Sequence, residues 1–130
     1  MTKKALITGG AGFIGSHLLD KLITERNYVI TVLDLLDEKI HRNKDNPPDY
    51  LNKKAKFVQG SLTNYNKLEE LIVEKDILIH LADIVGVGQS MYQINKYGDN
   101  SILGLAKIFE ILANKDHSIE KFVIASSNTI

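Results

Sequence analysis

The sequence predicts an α/β domain built on a doubly wound parallel sheet. Three observations carry that prediction. Short apolar runs alternate with helical patterns along the whole chain, three glycines form a bend between the first strand and the first helix, and the second strand ends in a carboxylate.

The first element, Lys4-Ala5-Leu6-Ile7-Thr8, is a short apolar strand that runs straight into Gly9, Gly12 and Gly15. A helical pattern begins at once, with Ile14, Leu18, Leu22 and Ile23 expected on one apolar face. A strand, a glycine bend and a helix start in that order form a nucleotide cradle. Gly9 permits the tight turn, Gly12 removes the Cβ that would block a pyrophosphate, and Gly15 lets helix and strand pack closely. The N–H groups and the positive dipole end of the helix then point at the phosphates. The second strand, Tyr28 to Asp34, ends in a carboxylate 19 residues beyond Gly15. At that separation an acid accepts hydrogen bonds from the adenosine ribose and repels a 2′-phosphate, so the expected cofactor is NAD rather than NADP. Leu35 and Leu36 stand where NADP would want an arginine; Lys39, Arg42 and Lys44 are the bases near enough to argue the other way.

The segment from Leu35 to Ala55 is rich in charge and carries Asn46-Pro47-Pro48-Asp49, which argues for an exposed connection with room for one helical turn, on the adenine side of the sheet. Lys56-Phe57-Val58-Gln59 reads as the third strand, stopped by Gly60-Ser61. Thr63 or Asn64 can cap a helix whose apolar face holds Leu68, Leu71 and Ile72. Asp76 to Ala82 is almost unbroken apolar sequence, the mark of a central strand covered on both faces. Its end, His80 to Gly88, falls where open α/β sheets bind ligands, although His80 itself fits a satisfied strand-end histidine equally well. From Ser90 to Asn114 one long amphipathic helix is expected, with Ile94, Ile102, Leu105, Phe109 and Leu112 inward and Gly98 and Gly104 placed for close packing or ligand approach. A fifth strand, Lys121 to Ser127, ends in hydroxyls. Right-handed crossovers give the spatial order 3-2-1-4-5, with a crevice between strands one and four at the carboxyl edge.

Composition narrows the function classes. A chain of 130 residues fits one domain, 1–130. Sixteen basic and sixteen acidic side chains cancel, so neither nucleic acid nor a membrane surface is an expected partner, and small molecules or protein remain. There is no cysteine, and His17, His41, His80 and His117 lack metal-ligand spacing, so no metal site is expected. No apolar run approaches the ~20 residues needed to span a bilayer, which makes the cytoplasm the default compartment.

Taken together, Thr8-Gly9-Gly10-Ala11-Gly12-Phe13-Ile14-Gly15, Leu33-Asp34, His80-Leu81-Ala82, Asn100 with Gly104, and Ala125-Ser126-Ser127 resemble the extended short-chain dehydrogenase/reductases. Within them the chain resembles the NAD-dependent epimerase/dehydratase branch, and Val85 to Tyr92 are most similar to the nucleotide-sugar 4-epimerases acting on UDP-glucose or dTDP-rhamnose. The resemblance implies a Rossmann fold with NAD held by Gly9, Gly12, Phe13, Ile14 and Gly15, Asp34 on the ribose, and Ser61 and Leu62 near the adenine. It further implies Leu81 and Ala82 on the path to the nicotinamide, Asn100 beside the cofactor, and Ser127 as the catalytic hydroxyl that binds the reacting sugar. Family members use a tyrosine, with a lysine four residues on, to take a proton from the sugar while NAD accepts and returns a hydride, and they associate as homodimers. The chain departs from the pattern at Ser61, where an acid is usual, and at Leu105, where a threonine is usual. It also stops at Ile130, before the family's catalytic tyrosine and lysine and its substrate-binding part, so the resemblance covers a front half and implies an inactive fragment of marginal stability. Two Tyr-x-x-x-Lys matches, Tyr50 with Lys54 and Tyr92 with Lys96, precede the serine strand and lie in the wrong place. The alternatives are a non-catalytic dinucleotide-binding or sensor module and an NADP-dependent dehydratase or reductase of the same superfamily.

Overall fold

A computed structural model describes residues 1–42 and 45–127, so the expectations placed on Lys44 and Ile130 lie outside the described residues. Strand β1 (Lys4–Thr8) leads through the glycine bend into α1 (Phe13–Arg26), then β2 (Val29–Asp34) and β3 (Lys56–Gln59). Helix α2 (Tyr65–Val73) precedes β4 (Ile77–His80). Two single turns, α3 (Val87–Ser90) and α4 (Ile94–Tyr97), follow; a π-helical segment (Gly98–Leu103) then joins α4 to α5 (Gly104–Asn114), and β5 (Lys121–Ile124) ends the order. All five strands are parallel in the order β3-β2-β1-β4-β5. The expected topology is therefore the observed one.

Strand pleating divides the core. In β1, Ala5 and Ile7 face one layer with Leu19, Ile30, Val32 and Ile79, whereas Leu6 faces the other with Leu33, Leu68, Leu78, Ile108 and Ile111. Asn64, of the two expected caps, starts α2: its side-chain oxygen accepts the N–H of Lys67 at 3.1 Å.

Four expectations are corrected. The inward residue of α1 is Leu19, with Leu18, Leu22 and Ile23 packed at its flanks; Ile14, at the helix start, lines the open cavity and is 67% exposed. The expected single helix from Ser90 is broken at Met91–Gln93 and passes through the π-helical segment, so a 3.6-residue face drawn through Ile94 and Ile102 misses the core. Ile108 and Ile111 point inward instead, with Leu112 partly buried, and Ile94, Ile102 and Phe109 stay exposed. Among its described residues the connection from Leu35 to Ala55 holds no helix, and it is not wholly exposed: Leu36 and Leu51 are buried against the α1 layer, and His41 is buried beside Asp34. Finally, β5 stops at Ile124, leaving Ala125 to Ser127 exposed and outside the strand.

Candidate functional site

The carboxyl ends of β1, β2 and β4 open into one cavity of about 460 Å³. Its floor is the glycine bend, and each glycine there answers a different steric demand. Gly9 sits at φ +71°, and a Cβ on it would lie 2.7 Å from Ala82 Cα, so the end of β4 seals the underside of the turn. A Cβ on Gly15 would lie 2.6 Å from both Gly10 Cα and Gly9 O, so only glycine lets α1 begin against the bend. At Gly12 the nearest atom to such a Cβ is Gly9 O at 3.3 Å, and the space beyond is open.

Gly12 is also the N-cap of α1 and offers no side-chain acceptor, while the first turn of the helix contains no acid. The leading N–H groups, at Phe13 and Ile14, therefore have no capping side chain, and both residues line the cavity at the positive end of the helix dipole. That is a seat for an anion.

Asp34 stands across the cavity, its side chain 10% exposed. One carboxylate oxygen accepts the Ala11 N–H at 3.0 Å and the other the Leu36 N–H at 2.9 Å. An ionised carboxylate has about four acceptor positions, so two remain for a ligand. Asp34 thus braces the glycine bend from the neighbouring strand while keeping capacity to bind. Tyr50 braces the same bend from the other side, donating its hydroxyl to Ala11 O at 2.6 Å; burial, and then the charge of Asp34, raise its phenol above the ordinary range.

Every residue expected at the cofactor lines the cavity except Ser61: Gly9, Gly12, Phe13, Ile14, Gly15, Asp34, Leu62, Leu81, Ala82 and Asn100 are all there. Ser61 spends its hydroxyl on Thr63, accepting that residue's N–H at 3.1 Å, while its neighbours Gly60 and Leu62 reach the cavity. Ser127 is exposed and does not line it, whereas Ala125 does. Gly104 presses its missing Cβ against Leu62, which a side chain would approach to 2.8 Å, whereas nothing lies within 4 Å of the Cβ position at Gly98. Asp83 lies in the His80 to Gly88 stretch expected at the ligand edge, whereas Asp37, Ile40 and His41 join the lining from a segment with no such signal. His41 had no signal at all, being an isolated residue in an aperiodic segment.

Charge in the lining is one-sided. Asp34, Asp37 and Asp83 contribute carboxylates, and among the described residues no lysine or arginine lines the cavity. Lys39 turns away to bind the side chains of Gln89 and Gln93, and Arg42 is exposed outside the cavity. Among the described residues no group of His, Asp and Glu is placed to hold a metal ion, and no helix is long and apolar enough to cross a membrane.

His80 lies below this cavity, not in it. It is 6% exposed, and its Nδ1 shares a hydrogen bond of 2.7 Å with the Thr8 hydroxyl across the β1–β4 pair. Burial holds the imidazole below its ordinary value of 6.5, against the opposing charge of Asp83. A depressed histidine binds its proton more readily unfolded than folded, so its contribution to stability is complete above that ordinary value and is lost as pH falls through the folded one. Urea midpoints should therefore fall between about pH 7 and about pH 5, and His80→Asn should flatten that fall. An unchanged slope in the variant would show that His80 is not its source.

Comparison with known proteins places these features. The model of the GDP-mannose 4,6 dehydratase family matches residues 6–130. A putative UDP-glucose 4-epimerase of Methanocaldococcus jannaschii is 42% identical over 124 residues, which cover 94% of this chain and 37% of that protein. The crystal structure of the Thermotoga maritima UDP-glucose 4-epimerase with UDP-glucose superposes with a TM-score of 0.78 at 29% identity, over 95% of this chain and 38% of that one. The Thermus thermophilus UDP-glucose 4-epimerase, in complex with NAD, gives a TM-score of 0.75 at 26% identity, over 95% of this chain and 37% of that one. The chain spans little more than a third of the length of these relatives.

Proposed function

The chain belongs to the GDP-mannose 4,6 dehydratase family, and from that premise we propose that its 130 residues form the NAD-binding part of a nucleotide-sugar 4-epimerase. One observation carries the proposal: a single cavity joins the uncapped start of α1 to the Asp34 carboxylate, with no lysine or arginine in its described lining. The dinucleotide diphosphate rests on the N–H groups at Phe13 and Ile14, in the space left open at Gly12. Asp34 accepts the adenosine ribose hydroxyls with the capacity that Ala11 and Leu36 leave unused. The adenine lies toward Leu62 and the nicotinamide toward Leu81, Ala82 and Asn100. NAD bound there supplies a transient hydride acceptor, and the chain's own residues orient it and keep its ribose end dry.

Catalysis needs more than this. None of the five tyrosines is among the cavity-lining residues: Tyr50 is spent on the glycine bend, Tyr97 donates to Val85 O and Gly86 O, and Tyr92 is 86% exposed. Lys96, partner of Tyr92 in the second Tyr-x-x-x-Lys match, is ion-paired with Asp37. These 130 residues alone are therefore expected to isomerise no UDP- or dTDP-sugar. The same observation favours, as a second reading, a non-catalytic module that binds the dinucleotide and passes that state to a partner protein.

Calorimetric titration tests the proposal. NAD should bind, and NADP should bind about tenfold or more weakly, because a 2′-phosphate would meet the Asp34 carboxylate where the described lining holds no lysine or arginine. Equal binding of both, or of neither, contradicts it. A UDP-glucose turnover assay on the same sample contradicts the inactivity if product forms.

A further inference from the structure

The connection after β2 and the helices after β4 are far apart in sequence, yet side chains join them at the ribose end of the cavity. Lys96 Nζ lies 2.6 Å from the Asp37 carboxylate. Lys39 binds Gln89 and, at 3.3 Å, Gln93, with its ammonium 6.0 Å from the centre of the Tyr97 ring. Tyr97 in turn donates to Val85 O and Gly86 O, which ties that helix to the segment leaving β4.

Asp37 is the pivot of the other side. Its backbone carbonyl accepts the N–H groups of Ile40 and His41 at 3.0 and 2.9 Å, and its carboxylate accepts that of Lys39 at 3.0 Å. Asp37, Ile40 and His41 all line the cavity, and His41 Nε2 stands 4.0 Å from Asp34. Burial alone would raise the Asp37 carboxyl, but the hydrogen bond and charge of Lys96, with Lys39, outweigh it and hold it below the ordinary range. The pair is 34% exposed at Lys96 and 11% at Asp37, so the carboxylate is largely shielded from water and relies on its protein partners.

We propose that Lys96 is a positioning residue for the dinucleotide site: by holding Asp37 it fixes the turn from Asp37 to His41 as the wall beside Asp34, and so sets how long a bound dinucleotide stays. The proposal deepens the NAD-binding reading and rests on it for the ligand. It assigns a role to a lysine that the sequence offered only as half of a misplaced catalytic pair.

Hydrogen exchange on the ligand-free 130-residue chain reads the wall directly. Lys96→Met should speed exchange of the Ile40 and His41 amides about three- to tenfold and more than it speeds the amides of β1 and β4, since the two turn amides exchange by local opening. Lys96→Arg should restore slow exchange, since it keeps the charge and the reach to Asp37. In stopped-flow displacement of NAD, Lys96→Met should raise the dissociation rate by a similar three- to tenfold and leave association nearly unchanged. Unchanged exchange at Ile40 and His41 in Lys96→Met overturns the proposal, as does failure of Lys96→Arg to rescue. Should the wild-type chain bind no NAD, the NAD-binding reading falls on its own and the residence-time part of the proposal with it, while the exchange rates still decide whether Lys96 holds the wall.

Discussion

Gly15→Ala is expected to cost the chain about 2–4 kcal/mol of stability and to abolish dinucleotide binding, since overpacking against fixed backbone cannot be relieved by turning a side chain. Its new Cβ would lie 2.6 Å from Gly10 Cα and from Gly9 O, so α1 must move off the bend or the bend must open. Either movement carries the N–H groups at Phe13 and Ile14 away from the cavity. Gly12→Ala is the informative contrast. There the added methyl meets only Gly9 O, at 3.3 Å, which a shift of a few tenths of an ångström relieves, so the melting temperature should fall far less than in Gly15→Ala. Yet the methyl enters the space assigned to the diphosphate, and NAD affinity should fall about tenfold or more. Chemical denaturation and titration of the two variants side by side check both halves; a Gly12→Ala chain that binds NAD normally would mean that the diphosphate lies elsewhere.

Asp34→Ala carries the second large effect. It removes the acceptor for the N–H groups of Ala11 and Leu36 as well as the expected ribose ligand. Leaving part-buried donors without partners costs about 1–3 kcal/mol, and loss of a charge-assisted contact to ribose should weaken NAD by about a hundredfold. Asp34→Asn separates the two effects: its amide oxygen can still accept one N–H, but its charge is gone, so stability should recover in part while discrimination against NADP does not. Retention of a strong NAD preference in Asp34→Asn would show that another group sets it.

Much of this architecture was legible because it rests on one-dimensional signals. The apolar runs at Ala5–Ile7, Ile30–Leu33 and Ile77–Ile79 lie in strands buried on both faces, and the spacing from Gly15 to Asp34 follows from one helix and one strand of ordinary length. The illegible parts depend on contacts between remote residues. A π-helical turn is a shift in hydrogen-bond partner that hydropathy does not encode, so the inward face of the last helix moved from Ile102 and Phe109 to Ile108 and Ile111. Leu36, His41 and Leu51 are single buried residues in a polar segment, with no period to reveal them. Spacing marks Asp34 as the expected ribose ligand, yet its hold on Ala11 depends on the fold bringing β2 beside the bend. Lys96 shows the reverse failure, since its place in a familiar spacing said nothing of its pairing with Asp37.

In the proposed binding mode the backbone at the start of α1 and the carboxylate at the end of β2 grip the two ends of one adenosine diphosphate unit. A crystal structure of the chain grown with NAD tests it most directly. Diphosphate oxygens should lie within hydrogen-bonding distance of the Phe13 and Ile14 N–H groups, with the adenosine ribose hydroxyls on Asp34. A dinucleotide bound away from that bend, or bound there with its ribose turned from Asp34, would contradict it.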